Sequence, residues 1–215
     1  MTVAVDNDVV LQAVCFGLQD RFWRATERVA VLGAARFVLD SVLQRSSQIS
    51  GPRPALRRAL QTFLEASETL EPTPVEASFA AELQYSAQER DLELDVGESQ
   101  LIAIVITRSL ERLDTGDKRA VAATQALFDT DGRLLSLAGS IACLEQLVLR
   151  LLPPHYAETR RGVCGEPELD KALCACFACR RGDPGVGSAI EGLESYVNDL
   201  RGRAPDVLQA AEATT

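Results

Sequence analysis

Short β-branched apolar runs alternate along this chain with stretches whose apolar residues recur every three or four positions, and acidic residues stand where one pattern gives way to the other. The first run, residues 3–5, predicts a strand that stops at Asp6 and turns into a helix over 9–18, with Val9, Val10, Ala13, Val14 and Leu18 along one side. From Ala25 the pattern stays helical through Val29, Leu32, Ala35, Val38, Val42 and Leu43. Gly33 marks close packing or a slight break in it, and Ser50-Gly51-Pro52-Arg53-Pro54 ends it. Helices are predicted over 54–67 (Leu56, Leu60, Phe63, Leu64) and 75–89 (Val75, Phe79, Ala80, Leu83), separated by Pro72-Thr73-Pro74. After the turn Asp95-Val96-Gly97, Glu98 opens an apolar helix through Val105.

The order of strand, acid and helix then recurs. A strand over 110–113 ends in Asp114-Thr115-Gly116-Asp117, a helix follows over 119–128, and Asp129-Thr130-Asp131-Gly132 forms a turn. Residues 141–144 predict another strand before a helix over 145–152, and Pro153-Pro154 closes the sheet-containing body. Beyond it, 159–165 reads as irregular, 167–179 as a helix, 180–188 as flexible, 189–201 as a last helix, and 210–215 as a fraying end. The expected fold class is α/β, with a parallel central sheet flanked by helices. An α/β domain spans 1–152 with a helical insertion at about 50–92, and 153–215 form a helical C-terminal extension.

At 215 residues and 47% hydrophobic composition the chain has enough apolar material for one sizeable core. The apolar run 101–106 is broken by Thr107 and Arg108, short of a bilayer span, so no membrane association is expected. Residues 1–8 hold two acids and no positive n-region, which predicts a cytoplasmic protein without a secretory signal. The six cysteines are accordingly expected as reduced thiols. A net charge of -9 argues against non-specific binding to nucleic acid, which depends on neutralising many phosphates, but it leaves room for a nuclease whose acids share one metal site.

Taken singly, each acid has a structural explanation: Asp6 and Asp8 could cap a helix, Glu98 suits a helix N-terminus, and Asp117 suits a turn. Taken together they fit a shared site. A parallel sheet brings successive strand ends to one edge, where Asp6, Glu98, and Asp117 or Asp114 converge in a crevice suited to Mg²⁺ or Mn²⁺.

Three segments carry a family resemblance. Val5-Asp6-Asn7-Asp8-Val9-Val10-Leu11 resembles the opening strand and helix of PIN-domain nucleases, and Gly97-Glu98-Ser99-Gln100-Leu101-Ile102-Ala103 is similar to that family's Gly-Glu helix start. Thr115-Gly116-Asp117-Lys118-Arg119-Ala120 resembles its Asp-bearing segment after the following strand, so the likeness covers residues 1 to about 152. It implies a PIN-like fold and metal-dependent cleavage of RNA, with Asp6, Glu98 and Asp117 catalytic and, together with Asp8, ligating Mg²⁺ or Mn²⁺. It further implies that Lys118 or Arg119 contacts a phosphate, while Asp114 supports the turn. The family commonly carries another acid on a helix in the first half, for which Glu65, Glu76 and Glu82 stand unranked. RNA is the expected substrate, with a protein inhibitor or a second copy of the chain open as partners, as in toxin-antitoxin pairs. The rival expectation is a non-catalytic PIN-like interaction module whose acids are only caps.

Cys164, Cys174, Cys176 and Cys179 form the other constellation. Zinc ribbons present two Cys-x-x-Cys pairs from turns, whereas here one such pair sits in a predicted helix, so buried thiols are expected and zinc is not. Gly182-Asp183-Pro184-Gly185-Val186-Gly187-Ser188 lacks the Lys-Ser/Thr ending of a phosphate loop and reads as a linker. His155, the one histidine, reads as a surface residue. Phe22 and Trp23 read as packing or a partner surface, and Arg53, Arg57, Arg58, Arg160 and Arg161 as solvated faces.

Overall fold

The structure is a computed structural model that describes residues 1–24 and 26–210. The first half of the chain forms β1 (Thr2–Val5), α1 (Asn7–Phe16), α2 (Gln19–Phe22), β2 (Arg28–Leu32), α3 (Ala35–Arg45), α4 (Arg53–Ala66), β3 (Glu68–Leu70) and α5 (Pro74–Glu89). The second half forms α6 (Val96–Arg108), β4 (Arg112–Thr115), α7 (Lys118–Phe128), a 3-10 helix (Gly132–Leu137), β5 (Ile141–Cys143), α8 (Leu144–Leu149), α9 (Tyr156–Gly165), α10 (Lys171–Cys176) and α11 (Val186–Arg203).

The strands form one all-parallel sheet in the order β3-β2-β1-β4-β5, as the α/β expectation requires. Alternate residues feed two cores, because successive side chains on a strand point to opposite faces. Val3, Val5 and Val31 pack with α1, α3, α4, α8 and α9 on one face, while Ala4, Ala30, Leu32 and Leu113 pack with α5, α6, α7 and the 3-10 helix on the other. Helices thus cover both faces, the arrangement that buries a parallel sheet completely.

The strand order reverses at β1: β2 and β3 lie to one side, and the chain then crosses over to place β4 on the other. The β1/β4 junction is therefore the switch point of the sheet, and a crevice opens there beyond the strands' carboxyl ends. α1 and α7 begin at those ends because they follow β1 and β4. α6 precedes β4 and runs back against it, so its N-terminus faces the same crevice.

Several sequence expectations need correction. The helical reading from 25 to 43 hides a strand, β2, ahead of α3: Val29 to Leu32 is a continuous apolar run that periodicity alone does not assign. Ala25 itself, and 211–215 within the expected fraying end, lie outside the described residues. The expected insertion contains β3, a three-residue edge strand paired with β2. β4 runs on through Asp114 and Thr115, so Asp114 is a strand residue rather than a turn support. Residues 159–165 are helical within α9, the 167–179 helix is shortened to α10, and α11 starts at Val186 inside the expected flexible stretch.

Cys164 and Cys179 form a disulfide, against the expectation of six free thiols; α9 and the turn after α10 fold together and bring their Cα atoms to 4.9 Å. Cys15, Cys143, Cys174 and Cys176 are free and buried.

The C-terminal third shares the sheet's cores: Leu173 and Leu193 join one, Val197, Leu200, Val207 and Leu208 the other. The segment after α11 also lies along β5. Ile141 N donates to Val207 O at 3.0 Å, and Gln209 N donates to Ile141 O at 2.7 Å. Gln125 Oε1 accepts from Asp206 N at 2.9 Å, and Gln146 Nε2 donates to Gln209 O at 2.8 Å, fixing the segment from both sides. Among the described residues no helix is long and apolar enough to cross a membrane.

Candidate functional site

Each acid at the crevice arrives through a helix start. Asp6 follows β1 and caps α1, its Oδ1 accepting from Asn7 N at 2.7 Å while the Thr115 hydroxyl donates to its Oδ2 at 3.4 Å. Asp8 stands in the first turn of α1. Asp117 follows β4 and caps α7, accepting from Arg119 N at 2.7 Å and Ala120 N at 3.3 Å. Asp95 and Glu98 form a capping box on α6: Glu98 N donates to Asp95 Oδ1 at 2.8 Å and Asp95 N donates to Glu98 Oε2 at 2.9 Å.

Electrostatics ties these groups to one crevice. Burial pushes Asp6 up to about 7, with the charges of Asp8 and Asp95 acting in the same sense. Burial likewise raises Glu98 to about 8, aided by Asp95, Asp117 and Asp6. Asp8 is raised by the desolvating walls of the crevice, then by Asp117 and Asp95. Asp117 differs: burial pushes it up, but the Arg119 guanidinium and the helix N–H groups outweigh burial and hold it below the usual carboxylate range.

The structure therefore brings Asp6, Asp8, Glu98 and Asp117 to one edge of the sheet. The donor chemistry fits a hard divalent cation, since the carboxylates are oxygen ligands and two of them, Asp6 and Glu98, are raised by burial and then by neighbouring acids. The side chains as they stand are capping helices, and among the described residues no three His, Cys, Asp or Glu side chains form a group that could hold a metal ion.

The basic residues of the third motif are engaged. Lys118 Nζ pairs with Glu145 Oε1 at 2.6 Å, and Arg119 bonds Asp117 at 3.0 Å and pairs with Glu93. Asp114, fully buried in β4, accepts from Arg112 Nε at 2.7 Å and from Trp23 Nε1 at 2.9 Å, while Arg112 reaches Glu27 at 2.7 Å. Burial pushes Asp114 up against the pull of that guanidinium.

The three candidates for a further acid have other partners. Glu76 is held by Arg108 at about 2, Glu82 pairs with Arg133, and Glu65 accepts from Gln61. Sequence reasoning passed over two acids, one in the crevice and one beside Lys118. Asp95 was read only as a turn residue, although Asp-x-x-Glu ahead of an apolar run signals a capping box. Glu145, at the start of α8 after β5, is fully buried, and its Oε2 has no hydrogen-bond partner. Its signal was an acid in the first turn of the helix that follows an apolar strand.

The remaining singled-out residues are structural or superficial. Arg53 donates to Ser46 O at 2.6 Å and Ile49 O at 2.8 Å, closing the end of α3, and Arg57 pairs with Asp40 at 2.6 Å. His155 lies at the surface, 3.1 Å from Arg21. Phe22 and Trp23 pack edge to face with centroids 5.8 Å apart. Asp183 in the glycine-rich loop accepts from Gly185 N at 2.9 Å and from the Tyr156 hydroxyl. No protein-family model, curated protein or solved structure gives a match to this chain.

Proposed function

We propose that this protein hydrolyses phosphodiester bonds in RNA with the help of Mg²⁺ or Mn²⁺ bound at the β1/β4 crevice. The carrying observation is the pair of uncompensated buried acids, Asp6 near 7 and Glu98 near 8, at the switch point of a parallel sheet. Asp6 and Glu98 would hold the ion, with Asp8 and Asp117 beside them. When bound, such an ion supplies Lewis acidity for water and for the scissile phosphate. Asp6 and Glu98 would stand ionised beside it, since an adjacent dication favours the carboxylate. The Thr115 hydroxyl orients Asp6 through Oδ2. Arg119, exposed at the rim and steadied by Asp117, would meet an RNA phosphate.

The test combines cleavage with binding. With Mn²⁺ or Mg²⁺ the chain should cleave members of a single-stranded RNA panel. Asp6→Asn, Glu98→Gln and Asp117→Asn should each lower the rate by about 100-fold or more, and the exposed Glu191→Gln should not. Mn²⁺ should also raise the melting temperature of the wild type and not of Asp6→Asn.

A second reading is favoured by a specific observation: Asp6, Asp95, Glu98 and Asp117 all satisfy helix N-termini as they stand. On that reading the protein is a non-catalytic interaction module. It takes the first reading's place if Mn²⁺ leaves stability unchanged and none of the substitutions alters cleavage.

A further inference from the structure

A cavity of about 440 Å³ opens where β2 and β3 begin, at the other end of the sheet from the acidic crevice and within the size range of small-molecule sites. The segment leading from α2 into β2 forms one side, and the last turn of α4 the other. Trp23 and Phe63, one from each side, pack with ring centroids 5.3 Å apart. The indole is fixed in place, because its Nε1 donates to the buried Asp114 Oδ2 at 2.9 Å. Val29 and Ala66 add apolar surface beside the rings. A ligand therefore meets a preformed aromatic wall and has little of the protein to order on binding.

Charged groups beside that wall are held by partners. Arg28 pairs with Glu68 at 2.9 Å, and Glu27 accepts from Arg112 at 2.7 Å and from Arg24 N at 2.9 Å. Gln19 differs: its side-chain oxygen is shielded from water and, among the described residues, has no hydrogen-bond partner. An acceptor desolvated without a donor is unfavourable, and its retention calls for an explanation. A donor carried by a ligand would satisfy it. The lining also sets the ligand's charge, because the acids Asp20, Glu27 and Glu68 outnumber the arginines Arg24 and Arg28. Such a balance disfavours an anion.

We propose that this cavity binds a flat, uncharged heteroaromatic molecule, its ring against Trp23 and Phe63 and a ring N–H donated to Gln19 Oε1. Contact between aromatic rings supplies the attraction, and the hydrogen bond selects among rings of similar size. The site is independent of the RNA-cleavage reading, since it shares no residue with the crevice.

Benzimidazole, 1-methylbenzimidazole and benzoate, each titrated into the full chain at about pH 8 without divalent metal, separate the parts of the claim. Trp23 is the one tryptophan of the chain, so its emission reads binding at the wall itself. Benzimidazole should change that emission saturably, with a Kd of about 1 mM or tighter, as expected for a ring of this size. 1-Methylbenzimidazole keeps the ring and lacks the N–H, so it should bind about tenfold more weakly, with Gln19 Oε1 left unpaired beneath it. Benzoate should bind at least about tenfold more weakly than benzimidazole, as an anion among acids. Phe63→Ala should weaken benzimidazole about tenfold through loss of ring contact. Gln19→Leu should bind the two benzimidazoles equally, and it is the decisive variant if Phe63→Ala fails to fold. Absence of a saturable benzimidazole signal, equal affinity of the wild type for the two benzimidazoles, benzoate binding as tight as benzimidazole, or discrimination that survives in Gln19→Leu would each overturn the proposal.

Discussion

Asp6 and Asp114 end adjacent strands, joined by the hydrogen bond from Asp6 N to Asp114 O at 2.9 Å, yet they are partnered in opposite ways. Asp114 faces a guanidinium and an indole N–H inside the core, in a chain of contacts that runs on to Glu27. Asp6, one residue beyond its strand, meets a backbone N–H, a distant hydroxyl and other acids. Counter-charge is supplied where the carboxylate is locked in the fold and withheld where it borders the crevice. Carboxylates raised in this way are the kind that concentrate at functional sites.

The comparison breaks most sharply at Arg112. Arg112→Gln strands Asp114 and Glu27 in the core, and removing one partner of a buried ion pair should cost about 3–5 kcal/mol in denaturant unfolding at pH 7. A loss near zero would mean that the network contributes nothing beyond packing. Asp117 stands between the two extremes, being an acid of the crevice with its own arginine. Asp117→Ala should cost about 1 kcal/mol through loss of the α7 cap, measured by the same unfolding.

The effect at Asp6 and Glu98 has the opposite sign. Because Asp6 and Glu98 have folded-state values of about 7 and about 8, above the ordinary carboxylate range, ionising them opposes folding. Their favourable contribution is complete below about pH 4, and it is lost as the pH rises through the folded values. Asp6→Asn and Glu98→Gln should therefore match the wild type near pH 4 and exceed it at pH 9. A variant less stable than the wild type at pH 9 would contradict the assignment of Asp6 or Glu98 as uncompensated. Mn²⁺ binding at pH 7 should also release about one proton per ion, read from the buffer dependence of the binding heat.

Much of this arrangement was legible in the chain. The run 3–5 with Asp6 behind it set a strand end, and both it and the run 110–113, which misses the end of β4 by two residues, set helix starts that a parallel sheet forces to one edge. Other elements were hidden by the physics of short segments. β2 merges with α3 because Val29 to Leu32 is apolar on both faces, and Ala35, Leu39 and Leu43 continue the pattern at helical spacing. β3 has two exposed residues of three and gains its identity only by pairing with β2.

α9 was obscured by Gly162 and Gly165, poor helix formers. Gly162 is there for contact: a Cβ would fall 2.1 Å from Phe16 O at the end of α1. The full burial of Glu145 and the Cys164–Cys179 bridge depend on the approach of distant segments, which no local pattern records.

The segment beside β5 has a consequence for solubility. A strand at the border of a sheet offers unpaired backbone groups to any other chain, and a parallel sheet this short has two such borders. On one side the hazard is limited by β3, three residues long and mostly exposed. On the other, residues 206–209 occupy the rim of β5, with Gln125 and Gln146 as clasps. Cutting the chain after α11 would uncover Ile141 to Cys143, an apolar strand with no charged residue to deter self-association, and the shortened protein should be lost to aggregation sooner than to loss of its site.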